Sequence, residues 1–466
     1  MKQNKRIIHL LVAISLLFLS LIGYLTYFEL FTKEKIITNS YNQRQWERED
    51  NTLRGEIFDR NGKVLAQSQL KGDKPERIYP YGRLYSQVIG YNSRSYGKTL
   101  LEAKFNKQLL NINEFTPVLD IKDKVTGEQK VGNNLYLTID HSLQVMANEL
   151  LNGKNGAIVA MDPKTGAILA MVSKPDFNPN NDALQANWTE LVESENDPFL
   201  PRATRGLYAP GSIFKTAISL AALKNGLGDE TFKDDGFIII DGNKIANFGG
   251  KAYGTIGLKD ALTVSSNVVF SQLGVKLGED KLKELAKNIG MNRDIPFDIS
   301  LESSRFPYSN MDSTDMAAVG IGQGKILVTP LYMAMLVSSI ADGGVMMEPF
   351  LVSDVVSPKG RVLWSRTPAS LQRVADTQTV AQVKEMMKAV VEKGTGTNAR
   401  IRGIDVAGKT GTAENEKNGK EHAWFIGFAP ADDPQIAVAV ILEYSGSTGG
   451  KTAAPMAREI IARWLH

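Results

Sequence analysis

From Ile7 to Phe28 the chain runs IIHLLVAISLLFLSLIGYLTYF, broken only by His9 and a few hydroxyl residues. Coiled as a helix, that run spans the ~30 Å of hydrocarbon in a bilayer. Lys2, Lys5 and Arg6 precede it, and basic flanks tend to stay in the cytoplasm, whereas Glu29, Lys33, Glu34 and Lys35 after it mix signs. A cleaved leader also begins basic and then apolar. This run is long for one, and LIGYLTYFELF offers no small-x-small cleavage site. A buried core helix is the other rival, and the length argues against it. The expectation is residues 1–6 as a cytoplasmic tail, 7–28 as an uncleaved membrane anchor, and everything beyond on the outer side.

What lies beyond is too large for one compact core: 466 residues imply two domains. Apolar residues at 43% and charged residues at 23% are ordinary for a folded protein. The net charge of +3 gives no concentrated basic face, so no nucleic acid is expected. With no cysteine, disulfides, thiolate catalysis and Cys-based metal sites are excluded. The four histidines, His9, His141, His422 and His466, are scattered, so no histidine-rich metal site is expected, while carboxylate sites stay open.

Residues 29 to about 150 are polar and turn-rich. In RGEIFDRNGKVLA (Arg54 to Ala66) two short apolar stretches flank Asp59-Arg60-Asn61-Gly62, a hairpin signal. NNLYLTIDHSLQ alternates like a strand and then turns helical. Near residue 155 the texture changes: GAIVAMD and AILAMVS bracket Pro163-Lys164-Thr165-Gly166 as a second hairpin. Helices are expected at 212–224, near 259–288, near 329–341, at 377–393 and from about Thr452 to Leu465. IDVAGKTGTAE, HAWFIGFAP and QIAVAVILEYS read as antiparallel strands, with Asn418-Gly419 as a turn. The fold class is therefore α/β: an amino-terminal transmembrane helix, a small mostly β domain over 29–150, and a domain over 151–466 with one antiparallel sheet covered by helices.

Three short patterns carry chemistry: Ser-x-x-Lys, Ser-x-Asn and Lys-Thr-Gly. Each occurs more than once, at Ser68, Ser95 and Ser212, at Ser40, Ser194 and Ser265, and at Lys164 and Lys409. Context chooses among them. Ser212 follows Pro210-Gly211 and opens SIFKTAISLAALKNG, which stops at Gly226. Ile213, Phe214, Ala217, Ile218, Leu220, Ala221, Ala222 and Leu223 surround this helix with apolar side chains, as in a buried central helix. Lys215 stands one turn from Ser212 on the same face. A serine at a helix start meets a dipole that favours developing negative charge. A lysine in apolar surroundings with a second cation nearby loses its proton readily enough to serve as a base. Helix capping by Ser212, with Lys215 reaching outward, is the plain alternative. Ser68 and Ser95 lie in the polar segment and have no such helix.

Lys409-Thr410-Gly411-Thr412 follows the strand-like Ile404-Asp405-Val406-Ala407-Gly408, and a glycine there lets a substrate backbone approach. Lys164-Thr165-Gly166 sits after a turn-forming Asp-Pro and only turns the chain. Gly403 to Thr410 also fits G-x-x-x-x-G-K-T, the phosphate-binding loop. That motif needs a strand before its first glycine and a helix starting at Lys-Thr, and here the interior reads as strand. Gly320-x-Gly322-x-Gly324 reads as a tight turn.

Ser212-Ile-Phe-Lys215, Ser265-Ser266-Asn267 and Lys409-Thr410-Gly411 stand in the order, and at about the spacing, of penicillin-binding proteins and serine β-lactamases. Their flanks YAPGSIFKTA, TVSSNVVFSQLG, VGIGQGKILVTPLYMA, EKGTGTNA, VAGKTGTAE and HAWFIGFAP resemble the transpeptidase domain of class B penicillin-binding proteins. RGEIFDRNGKVLA resembles the start of that class's amino-terminal domain. RIYPYGRLYSQVIGYNSRSYGKTLLEAKFN is similar to the short penicillin-binding protein A subgroup. The resemblance covers most of the chain outside the anchor. A β-lactamase fits less well, with Ser-Ser-Asn in the middle motif and an anchor and large segment it does not need. A bifunctional class A protein would need a glycosyltransferase domain, for which 29–150 is short.

The resemblance implies a peptidoglycan D,D-transpeptidase held at the cell membrane with its catalytic domain outside. Ser212 would attack the penultimate D-Ala carbonyl of a stem peptide, Lys215 take the proton, and Ser265 relay it with Lys409 nearby. Backbone N–H groups of Ser212 and Thr412 would form the oxyanion hole. Lys409, Thr410 and Thr412 would hold the terminal carboxylate, Asn267 the amide side chain, and Gly411 would admit the substrate backbone. β-Lactam antibiotics would acylate the same serine. No cofactor is implied, and a glycosyltransferase of the wall-synthesis machinery is an implied partner. The alternatives are a D,D-carboxypeptidase or β-lactamase using the same site, and a non-catalytic scaffold of that machinery.

Overall fold

A computed structural model describes residues 2–28, 46, 49–112, 130–413 and 420–466. The expected turn at Asn418-Gly419 and the Ser40 motif lie outside these residues. The amino-terminal run forms the helix Lys2–Tyr27. Its Ile7–Tyr27 portion is long and apolar enough to cross a membrane, and none of that window is buried against protein.

The central element is a five-stranded sheet in the order Ile168–Lys174, Gly156–Met161, Ile436–Leu442, His422–Ala429, Ala407–Ala413, antiparallel throughout. Its inner strands are almost continuously apolar because both faces are covered. Ala157, Val159, Trp424, Ile426, Ala437 and Ile441 face a core that includes the Ser212 helix and the wholly buried helix Pro330–Ala341. Their neighbours Ile158, Ala160, Phe425, Val438 and Val440 face the helices His141–Leu150 and Ala453–Leu465. Alternate side chains of a strand point to opposite faces, so one sheet can serve two cores. Ala407–Ala413 is the edge strand. Its fixed pairing (Lys409 with Ile426, Gly411 with Trp424) sets where its side chains stand.

The hairpin around Pro163–Gly166 joins its two strands as expected, and Lys164 turns outward to Asp433. The helices Pro330–Ala341, Thr377–Lys393 and Ala453–Leu465 also stand where expected. Several elements differ. The strand anticipated over Ile404–Val406 begins instead at Ala407, so Lys409-Thr410-Gly411 lies inside it. The helix expected near 259–288 is two helices, Leu258–Val264 and Asn267–Asn288, broken at Ser265, whose φ of 61° is left-handed. Ser266 then caps the second helix by accepting the Val269 N–H at 3.0 Å. The helices Asn181–Glu193 and Ser313–Gly320 were not anticipated.

A second sheet has six strands. It runs Val362–Ser365, Val352–Val356, Asn134–Leu137, Ile57–Phe58, Val64–Lys71, Lys74–Ile78. The hairpin at Asp59–Gly62 forms as expected, with Asp59 Oδ1 accepting the N–H groups of Asn61 and Lys63. Two of its strands come from the far half of the chain, so the sheet joins both halves.

Candidate active site

Ser212 and Lys215 belong to one continuous right-handed segment. Its first turn, Gly211–Phe214, is a 3-10 turn, and the α-helix runs Lys215–Lys224. Backbone contacts too close for side chains fix this turn. The Gly211 N–H donates to the Gly322 carbonyl at 2.8 Å. Gly211 has φ +55°, and a Cβ there would stand 2.6 Å from the Thr412 carbonyl oxygen. A Cβ on Gly411 would meet Ile213 Cγ2 at 2.9 Å. The serine turn therefore lies directly against the edge strand at Gly411-Thr412, and Ser212 itself is half-buried. Trp424 Nε1 donates to the Ala209 carbonyl at 3.1 Å, tying the approach to Ser212 onto the next strand.

Lys215 is wholly buried. Its Nζ donates to the Ser265 carbonyl at 2.9 Å and to Asn267 Oδ1 at 2.7 Å, and lies 3.4 Å from Ser265 Oγ. Burial first, and then the charge of Lys409, hold this amine well below the usual lysine range; Asp234 opposes them. A neutral amine has two N–H groups and one lone pair. The two short contacts use the N–H groups and leave the lone pair for a hydroxyl proton.

Lys409, also wholly buried, donates to Ser265 Oγ at 2.9 Å and to the Thr410 carbonyl at 2.8 Å. Burial lowers it to about 7. Thr410 Oγ1 pairs at 2.6 Å with Thr395 Oγ1, from the EKGTGTNA stretch, while Thr412 stays half-buried on the same strand. Because Lys409-Thr410 lies inside a strand, no helix N-terminus stands there to cradle phosphate, and the nucleotide-loop reading fails.

The structure thus gathers Ser212, Lys215, Ser265, Asn267, Lys409, Thr410, Gly411 and Thr412 into one cluster. The other copies of the motifs stay away from it. Ser68 sits on the strand Val64–Lys71 and takes a long bond from Arg77, Ser95 lies in a turn, and Ser194 follows the helix Asn181–Glu193. Two site residues carry no motif. Asp234 and Asn247, both buried, reach the Ser265 loop from the strand Thr231–Asp234 and from the residue after Asn243–Ala246. Asp234 Oδ2 accepts from Ser266 Oγ at 2.6 Å, and Asn247 Oδ1 accepts the Asn267 N–H at 2.8 Å. Neither lies in a periodic pattern, and nothing in the local sequence distinguishes either one.

A half-buried hydroxyl beside a buried lysine whose surroundings disfavour its charge, with a second lysine behind a shared serine, equips a serine acyltransferase. Comparison with known proteins agrees. Residues 156–462 match the penicillin binding protein transpeptidase domain, and residues 54–135 match the penicillin binding protein A dimerisation domain. The chain is 34% identical to the peptidoglycan D,D-transpeptidase PbpA of Mycolicibacterium smegmatis, over 100% of this chain and 99% of that protein. It is 31% identical to stage V sporulation protein D of Bacillus subtilis, over 87% of this chain and 67% of that one. Penicillin-binding protein A from M. tuberculosis, solved as a ceftriaxone acyl-enzyme, superposes with a TM-score of 0.85 at 31% identity, covering 90% of this chain and 99% of that structure. The chain belongs to the penicillin-binding protein transpeptidase family.

Proposed function

We propose that this chain is a membrane-anchored peptidoglycan D,D-transpeptidase acting through an acyl-enzyme on Ser212. The observation that carries the roles is Lys215: buried, in surroundings that disfavour its charge, and one turn from the serine. Lys215 takes the Ser212 hydroxyl proton as Oγ bonds to the carbonyl carbon of the penultimate D-Ala. Collapse breaks the C–N bond to the terminal D-Ala, whose amine receives a proton passed through Ser265. An amine of a neighbouring stem peptide then attacks the ester and restores Ser212. The N–H groups of Ser212 and Thr412 face the developing oxyanion, an effect worth about 3 kcal/mol for one such donor. A substrate carboxylate at Thr410 and Thr412 draws Lys409 back to its charged form, since an opposite charge favours it. Asn267 orients the stem amide, and Gly411 admits the substrate backbone. With a β-lactam the same attack opens the ring C–N bond, and the leaving amine stays tethered.

The apolar helix Lys2–Tyr27 supports a single anchor, and Lys2, Lys5 and Arg6 support a cytoplasmic start with the catalytic domain outside. Residues 29–150 serve as a pedestal below the transpeptidase domain of 151–466. Cross-linking presupposes glycan strands, which supports a glycosyltransferase as the working partner. Mass spectrometry of the intact protein after penicillin tests the reading. It requires one acyl group per chain, on the peptide containing Ser212, and an unmodified protein refutes it.

A further inference from the structure

Asp234 is a wholly buried carboxylate that no step of the acyl transfer uses. Every group aimed at its two oxygens is a donor. Oδ1 accepts the Gly236 N–H at 2.9 Å and Asn247 Nδ2 at 2.7 Å; Oδ2 accepts Asn247 Nδ2 at 2.9 Å and Ser266 Oγ at 2.6 Å. The orientations are fixed independently. Asn247 Oδ1 takes the N–H groups of Asn267 and Val268, so its Nδ2 must face Asp234. Ser266 Oγ accepts the Val269 N–H, and its own proton has Asp234 Oδ2 at 2.6 Å as the nearer acceptor, against 3.4 Å for Asn247 Oδ1. All four bonds run toward the carboxylate oxygens, and among the described residues no cation pairs with them directly. Through Asn247 and Asn267 the same network continues to Lys215 Nζ.

We propose that Asp234 is a positioning residue for acyl transfer: it holds the Ser265–Asn267 loop in its left-handed shape and supplies a buried negative charge to the Lys215 site. Ser265 has φ 61°, a conformation costly for a residue with a side chain, and Ser266 and Asn267 are pinned on its far side by bonds that end on Asp234. The groups facing Lys215 are few. Lys409 on the strand Ala407–Ala413 repels its charge, Asn267 and the Phe270 ring face it as neutral groups, and Asp234 attracts it. Around Asp234, the Tyr253 N–H donates to its carbonyl, and the charged groups beside its strand are paired, Lys233 with Asp235 and Lys276 of the helix Asn267–Asn288 with Glu230. Without Asp234, burial and Lys409 would push Lys215 down unopposed, so its basicity would fall with its proton affinity.

This inference rests on Lys215 being the base, and one experiment separates the two. The second-order rate of penicillin acylation is measured from about pH 5 to about pH 9, where a lysine base imposes an acid limb. Asp234→Asn removes the attraction, so its limb moves to lower pH: on the limb it keeps a several-fold larger share of its own plateau rate than wild type. The plateau falls, because the loop loses an anchor. Ser266→Ala loosens the loop without removing charge, so its plateau falls while its limb stays. Should Asp234→Asn not fold, Ser266→Ala decides alone. A limb that moves in Ser266→Ala, or an Asp234→Asn limb that coincides with wild type, overturns the proposal. A wild type with no acid limb refutes instead the assignment of Lys215.

Discussion

Lys215 and Lys409 converge on one hydroxyl: Ser265 Oγ lies 3.4 Å from Lys215 Nζ and accepts a hydrogen bond from Lys409 Nζ at 2.9 Å. Two buried ammonium groups around one oxygen cannot both stay charged at modest cost. Burial lowers Lys409 to about 7; burial first, and then the charge of Lys409, hold Lys215 well below the usual lysine range. A charge on Lys409 therefore disfavours a second charge on Lys215, the base proposed beside Ser212. Ser265 sits between a donor and an acceptor of protons, the placement a relay needs.

Replacing Lys215 by Arg should abolish acylation. Guanidinium stays charged throughout the working range and cannot take the serine proton, although size and charge are roughly kept. General-base catalysis is worth roughly a hundred-fold to ten-thousand-fold, so the acylation rate should fall by that order. In wild type the rate should weaken as pH falls through the lowered Lys215 value, because protonation removes the base. A variant that acylates near the wild-type rate would pass the role of base to Ser265 or a water.

Ser212→Ala should lose covalent labelling by penicillin entirely, while Ser68→Ala and Ser95→Ala should label as wild type does. All three serines open a Ser-x-x-Lys pattern, yet only Ser212 stands on a helix start beside a buried lysine. Stoichiometric labelling of Ser212→Ala, read by peptide mass spectrometry, would remove it as nucleophile.

The site was legible where its logic is local. Ser212 and Lys215 stand out because one turn of an apolar helix relates them, and helix periodicity survives in any sequence. The Lys409 motif stands against Ser265 in the structure, but its strand starts later than the sequence suggests. Ile404 and Val406 have the branched side chains of a strand, whereas Lys409 and Gly411 do not, and pairing with His422–Ala429 overrides that preference. The break at Ser265 was hidden because apolar spacing continues across it. Asp234 and Asn247 were illegible for a different reason: their partners are far along the chain, and no local pattern records such a contact. The strands Val352–Val356 and Val362–Ser365 joined the sheet of the amino-terminal half for the same reason.

Glu102 predicts how the domain near the anchor responds to acid. It is wholly buried and bonded to Arg54 Nε at 2.5 Å and Arg77 Nε at 2.7 Å. Burial alone would raise its carboxyl, but Arg54 and Arg77 outweigh burial and bring it to about 2, from 4.5. A depressed carboxyl stabilises the fold above its unfolded value, and that stability is lost as pH falls from 4.5 toward 2. Glu102→Gln strands two guanidinium groups in the interior and should cost on the order of 3 kcal/mol at neutral pH. Its stability should then vary less with pH over the acid range than that of wild type. Chemical denaturation at neutral and acid pH measures both; equal acid sensitivity of the two proteins would show that the pair is not what acid disrupts.

Gly322 separates the nucleophile's geometry from general stability. Its φ is +73°, its carbonyl accepts the Gly211 N–H, and a Cβ on it would stand 2.1 Å from the Gly211 oxygen and 2.8 Å from Phe214 Cβ. The backbone just before Ser212 must move to admit any side chain there, and the serine turn moves with it. Gly360 gives the control: φ +81°, with nothing within 4 Å of its added Cβ. Alanine at either glycine carries the left-handed penalty of about 1–2 kcal/mol, visible as a lower Tm. Only Gly322→Ala should also slow penicillin acylation, by roughly a hundred-fold, because a misplacement of about 1 Å at a reacting group costs that much. Rates and melting temperatures for both variants decide it. If Gly322→Ala acylates as fast as Gly360→Ala, the Gly211–Gly322 contact does not position Ser212.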